Sequence, residues 1–239
     1  MEYTFNSMIF NDITICQLKN NGFRFGCDSP VLAWFTHAKK KWHIADVGSG
    51  SGVIAALIAR AYNAKVTAIE MQAEMFECLK QTVSLCNMQD KISVINADIR
   101  QMKKEKLYDA VVCNPPYRHA GTGKTAKDEV ANKARFTITM NIEDVVKFAK
   151  GSLKHQGRLF FSYDADMLIE ALHICKINNL QPKRILSLHK DISSKAKLVF
   201  VECMLAGGEE LCIEPPLFQQ GEKEVTARYD NIFNGVWKS

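Results

Sequence analysis

The chain has 239 residues, enough to bury a sizeable core. Hydrophobic residues make up 47% and charged residues 24%, which excludes a mostly disordered, collagen-like or repeat-built chain. With 31 basic and 26 acidic residues the net charge is +5, an excess that permits a polyanionic partner without demanding one.

None of the eight cysteines forms a C-x-x-C pair, which argues against a zinc ribbon or a thioredoxin-type motif. Cys113 in VVCNPP and Cys203 in FVECML interrupt apolar runs, so the cysteines read as small buried hydrophobes in a reducing compartment. The opening MEYTFNSMIFND has no basic region followed by an apolar core, unlike a signal peptide. No stretch reaches the ~18 apolar residues of a membrane span. A cytoplasmic protein away from membranes is expected.

Residues 2–25 alternate loosely around Asn11-Asp12 and Asn20-Asn21-Gly22, which predicts one or two short strands or a hairpin. Residues 29–38 read as a helix with Ser29 as N-cap and Pro30 at its first position. A strand–helix rhythm then begins. Strands are predicted at His43–Val47, Lys65–Ile69, Ile92–Ile95, Tyr108–Cys113 and Arg158–Tyr163. Helices are predicted at Val53–Tyr62, Ala73–Asn87, Ile142–Leu153 and Asp166–Asn178. Residues 118–134 read as a polar loop. Arg184–His189 and Lys197–Ala206 read as a closing antiparallel hairpin, and the polar tail with Pro215-Pro216 has room for one last helix.

This alternation predicts an α/β fold: a Rossmann-like, doubly wound, seven-stranded, mostly parallel sheet with an antiparallel C-terminal hairpin. One domain over 1–239 is expected, with an extension at 1–40, a core at 41–206 and a tail at 207–239. Ligands of such sheets bind beyond the carboxyl ends of the strands, so the residues ending each strand matter most.

The first parallel strand runs into Asp46-Val47-Gly48-Ser49-Gly50-Ser51-Gly52. Gly48, Gly50 and Gly52 permit a tight turn and a close ligand approach to the backbone. The second strand leads to Glu70, placed to accept from ribose hydroxyls. The third leads to Asp98, which can accept from an adenine amino group, and the fourth ends in Asn114-Pro115-Pro116-Tyr117. The two prolines hold Asn114 and Pro115 in extended conformations. The Asn114 amide oxygen and the Pro115 carbonyl can then accept both hydrogens of a planar amino group. Tyr117 offers a face for a flat substrate, worth ~1–3 kcal/mol against a base. Solvated acids would explain any one of these residues, but not the ordered set.

With these residues in view, the chain resembles class I S-adenosylmethionine-dependent methyltransferases that act on amino nitrogens. More closely it resembles the bacterial tRNA(Val) adenine-N6 methyltransferases, which modify adenosine 37 beside the anticodon. Phe25-Gly26-Cys27-Asp28 is similar to the family's G-T-D segment, with Cys27 in place of Thr. Ala134-Arg135-Phe136-Thr137 and Lys197-Leu198-Val199 are similar to later family stretches. Where the family often ends a later strand in Leu-Pro, this chain has Ser162-Tyr163-Asp164. The resemblance implies S-adenosyl-L-methionine held by Asp46, Gly48, Gly50, Gly52, Glu70, Asp98 and Asn114. It implies Asn114, Pro115 and Tyr117 at the reacting amine. A tRNA anticodon loop as substrate, a monomer and no metal are expected. Pro116, Arg118, Lys124, Lys133 and Arg135, in or just after NPPY, are expected on the substrate side, the basic ones at phosphates.

Other readings are weaker. Gly121–Thr125 is not a Walker loop, because that pattern needs glycine at 118, where Arg118 stands. The six histidines show no metal-ligand spacing. Release-factor glutamine methyltransferases also use NPPY but carry a larger N-terminal domain than the 45 residues before Asp46 allow. Guanine-N2 methyltransferases of ribosomal RNA usually have Phe where Tyr117 stands. A DNA adenine methyltransferase would need a target-recognition domain. A cofactor- or RNA-binding module without catalysis sits poorly with Asp46, Glu70, Asp98 and Asn114 all present.

Overall fold

A computed structural model describes residues 2–10, 12–19, 26–115 and 140–237. It opens with the antiparallel hairpin β1 (Tyr3–Ser7) and β2 (Thr14–Leu18). Helix α1 (Asp28–Phe35) follows. A nine-stranded sheet then forms around β3 (His43–Val47), β4 (Lys65–Glu70), β5 (Ile92–Asn96), β6 (Tyr108–Cys113) and β7 (Leu153–Asp164). It continues through β8 (Leu180–His189) and β9 (Ala196–Leu205). The spatial order is β5-β4-β3-β6-β7-β9-β8, with β9 antiparallel to both its neighbours. The chain fills the β3-β4-β5 side first and then returns to lay β6 on the other side of β3. The order therefore reverses between β3 and β6, where such sheets leave a crevice.

Two differences from the sequence reading concern the sheet edge and one helix. Beyond the predicted seven strands, β10 (Cys212–Ile213) and β11 (Leu217–Phe218) add in parallel to β8. Pro215 and Pro216 separate them because proline has no N–H to donate to a ladder. Such two-residue strands leave no alternation to read. Helix α1 begins at Asp28, with Cys27 as its N-cap. The Asp28 carboxylate accepts from the Ser29 N–H at 3.0 Å, so Ser29 lies inside the first turn.

Helices cover both faces. On one lie α1, α2 (Val53–Tyr62), α3 (Ala73–Leu85) and the final α6 (Lys223–Phe233). On the other lie α4 (Ile142–Ser152) and α5 (Leu168–Ile177), the latter after a 3₁₀ turn at Ala165–Met167. Strand side chains alternate between the faces: in β6, Val112 joins the first core and Val111 and Cys113 the second. This two-sided burial is why the strands read as continuous apolar runs. Phe160 and Phe200 are both fully buried against Phe35, itself fully buried, each worth roughly 1.5–3 kcal/mol of burial. Five of the cysteines are buried as expected, while Cys212 is exposed on β10. Among the described residues no helix is long and apolar enough to cross a membrane.

A charge network ties the late strands to α1. Glu202 of β9 is only 4% exposed and accepts from Arg158 and, at 2.7 Å, from Arg184. Arg184 also donates to Glu214 at 2.9 Å and to the Phe35 carbonyl at 2.6 Å. Its guanidinium lies 4.2 Å from the centre of the Phe35 ring. Arg228 of α6 pairs with Glu214 and covers Trp34. Removing Glu202 leaves two arginines around an emptied, largely buried site. Glu202→Ala is expected to lower the unfolding free energy by about 3 kcal/mol. In urea titrations the midpoint should fall while the m value stays constant.

Candidate active site

Parallel register sets the ends of the central strands level. Val47 pairs with Ile69 and Cys113, and Cys113 with Phe161. The next residues along these strands, Gly48, Glu70, Asn114 and Ser162, therefore share one edge of the sheet at the switch point.

The glycine loop bends back sharply there. Gly48 and Ser49 both donate to the Ile69 carbonyl, at 2.9 and 3.0 Å. Gly48, Gly50 and Gly52 have φ of +67°, +57° and +84°, a region that other residues enter only with strain. A Cβ on Gly52 would lie 2.6 Å from Leu79 Cδ1. Gly50 has more room, its nearest neighbour being Met75 Cε at 3.8 Å.

Asp46 holds this loop from beneath. It is fully buried, and its Oδ2 accepts from Ser49 Oγ at 2.6 Å and the Ala55 N–H at 3.1 Å. Burial pushes its carboxyl up to about 7, opposed by those two hydrogen bonds and reinforced by the nearby Glu70 carboxylate. Its Oδ1 is buried with no partner among the described residues. Glu70, 5% exposed, accepts from Gly50 N–H through Oε2 and Gln72 N–H through Oε1, both at 2.8 Å. A carboxylate has about four lone-pair sites, so each oxygen retains capacity for a ligand hydroxyl. Asp98 lies beyond β5 and is gripped by Arg100, whose Nε and Nη2 donate to Oδ2 at 3.0 and 2.7 Å. These hydrogen bonds hold the Asp98 carboxyl below its ordinary range.

Asn114 is held on three sides. Its Nδ2 donates to Asp28 Oδ2 at 2.8 Å and to Ser29 Oγ at 3.2 Å, both on α1. Its Oδ1 accepts from Ser162 Oγ of β7 at 2.6 Å. Ser162 is fully buried, and Asp28 and Ser29 are nearly so. The sequence reading does not single out these three as site residues. Asp28 stands in the Phe25–Asp28 segment, Ser29 carries an N-cap pattern, and Ser162 falls where the chain departs from the family.

Asp46, Gly48, Gly50, Gly52, Glu70, Asn114 and Pro115 thus gather around the switch point, with Asp98 on the β5 side. Pro116, Tyr117, Arg118, Lys124, Lys133 and Arg135 lie outside the described residues. Among the described residues no group of three or more His, Cys, Asp or Glu side chains could hold a metal ion.

The family model for the methyltransferase small domain matches residues 27–176. The chain belongs to the methyltransferase small-domain family. A "tRNA1(Val) (adenine(37)-N6)-methyltransferase" of Glaesserella parasuis is 30% identical over 187 residues, covering 72% of this chain and 76% of that protein. Among solved structures, a predicted O-methyltransferase from Agrobacterium tumefaciens superimposes with a TM-score of 0.70 at 22% identity, covering 87% of this chain and 96% of that one. TYW2 of M. jannaschii in complex with AdoMet gives 0.57 at 14% identity, covering 84% and 85%. At these identities the structural matches establish the fold of this methyltransferase.

The elevated Asp46 carboxyl has a consequence for stability. Its folded-state value, about 7, lies above the ordinary 3.8. Between those values the folded protein binds more protons than the unfolded chain, so the stabilisation present at low pH is lost as pH rises toward 7. Thermal unfolding followed from about pH 5 to about pH 8 should show the wild-type midpoint falling more steeply than that of Asp46→Asn.

Proposed function

We propose that this methyltransferase transfers a methyl group from S-adenosyl-L-methionine to N6 of an adenosine in tRNA, at position 37 of tRNA(Val). The observation that carries the reading is the Asn114-Pro115 pair at the end of β6, beside the glycine loop of β3, with the Asn114 amide anchored by Asp28, Ser29 and Ser162. The name of the Glaesserella parasuis relative supports adenosine 37 of tRNA(Val) as the target.

The residues at the edge fit the cofactor. Glycine backbone at positive φ gives a ligand room to approach, and the level Glu70 carboxylate has spare acceptor capacity. Gly48, Gly50 and Gly52 would shape the methionine end, with Asp46 keeping the loop in place beneath them. Glu70 would take the ribose hydroxyls, and Asp98 the adenine amino group. S-adenosylmethionine supplies a methyl group on a sulfonium, an already activated leaving group.

The chain's task is alignment. Asn114 Oδ1 and the Pro115 carbonyl would accept the two hydrogens of the target amine and direct its lone pair toward the cofactor side. Positioning of this kind can contribute up to ~7–11 kcal/mol. Pro116, Tyr117, Arg118, Lys124, Lys133 and Arg135 are proposed from sequence alone. Tyr117 would stack on the base, and the basic residues would meet phosphates. An anticodon loop suits such a site, because its unpaired bases splay out at little cost. We also propose one methyltransferase domain over 1–239, supported by β10 and β11 of the tail joining the same sheet as the core.

Labelled S-adenosylmethionine incubated with unmodified bulk tRNA, followed by nucleoside analysis, tests the reading. N6-methyladenosine in tRNA is expected, with Asn114→Ala at least about tenfold lower in kcat/KM from loss of amine alignment. Label appearing only in ribosomal RNA or a release factor would keep the active-site argument and discard the tRNA assignment.

A further inference from the structure

The Asn114 side chain is a planar amide with two chemically opposite ends. Rotating it by half a turn would exchange acceptor and donor and present N–H groups where the target amine needs an oxygen. The surroundings resist this rotation unequally. Asp28 is acceptor-only when ionised, so a flipped amide would turn Oδ1 toward a carboxylate oxygen and lose the 2.8 Å hydrogen bond to Nδ2. Ser162 Oγ can donate or accept, yet in the observed arrangement it donates to Oδ1 at 2.6 Å. A carbonyl oxygen has two lone pairs and can take two donors at once. The three participants come from α1, β6 and β7, which makes the amide orientation a property of how those elements pack.

We propose that Asp28 and Ser162 are positioning residues for the Asn114 amide, Asp28 setting its orientation by excluding the flipped state and Ser162 fixing the position of the oxygen in that orientation. This rests on the reading of Asn114 as the group that receives the target amine. Ser29, whose hydroxyl lies 3.2 Å from Nδ2, is like Ser162 satisfied by either orientation, so the discrimination rests with Asp28.

Two measurements on the full chain test the inference, the first a double-mutant cycle in the tRNA methylation assay. Ser162→Ala should lower kcat about tenfold while KM for S-adenosylmethionine stays within about twofold, and Ser162→Thr should recover most of the loss. In the Asn114→Ala background the Ser162→Ala change should have no further effect, because the residue acts through the missing amide. Effects that multiply, or a loss that Ser162→Thr leaves unrepaired, would overturn the positioning role while leaving the function intact.

The second measurement does not use activity. The Asn114 side-chain amide protons, followed by ¹⁵N NMR, should exchange slowly in the wild type and much faster in Asp28→Ala. Rapid exchange in the wild type would overturn the inference whatever the enzyme methylates. Absence of methylated tRNA together with slow exchange would instead fault the substrate reading and sustain the amide orientation.

Discussion

The functional edge depends on the register of four parallel strands. Because β3, β4, β6 and β7 are hydrogen-bonded with their ends level, residues scattered from Gly48 to Ser162 arrive in one row. A slip of one residue in any strand would exchange the side chains packed in the two cores and disrupt the fit of both. The reversal of strand order between β3 and β6 then opens the row at its middle, with the glycine loop on one side and Asn114 on the other.

The row is kept in place by polar groups that are fully or almost fully buried. Asp46 anchors the glycine loop from below, and the Asp28, Ser29 and Ser162 side chains anchor Asn114 from two elements. Buried polar groups are costly unless they are paired, so such clusters tolerate few alternative arrangements. The Glu202–Arg184 network works at longer range. It joins β8 and β9 to the carbonyl of Phe35, the last residue of the helix that begins with Asp28 and Ser29. Stability in the late strands and orientation at Asn114 therefore share a helix.

Much of the sheet was legible because each strand buried on both faces writes a continuous apolar run, and each helix a separate period. His43–Val47, Val53–Tyr62 and Tyr108–Cys113 have in the structure the bounds read from sequence. The misreadings have different origins. Ser29 followed by Pro30 has the local pattern of a helix start, but the helix begins two positions earlier, at Asp28 with Cys27 as its N-cap. β10 and β11 are too short to carry a period, and they exist only because β8 offers an edge to pair with.

The sequence by itself determined the alternating architecture, the glycine loop after Asp46 and the rigid Asn114-Pro115 strand end, since each is written in contiguous residues through local conformational preference. Tertiary structure alone decided what surrounds Asn114. Three of its described partners lie 86, 85 and 48 residues away, on elements that no local pattern connects. A hydrogen bond between elements depends on register and helix placement, and these are settled only when the whole core packs.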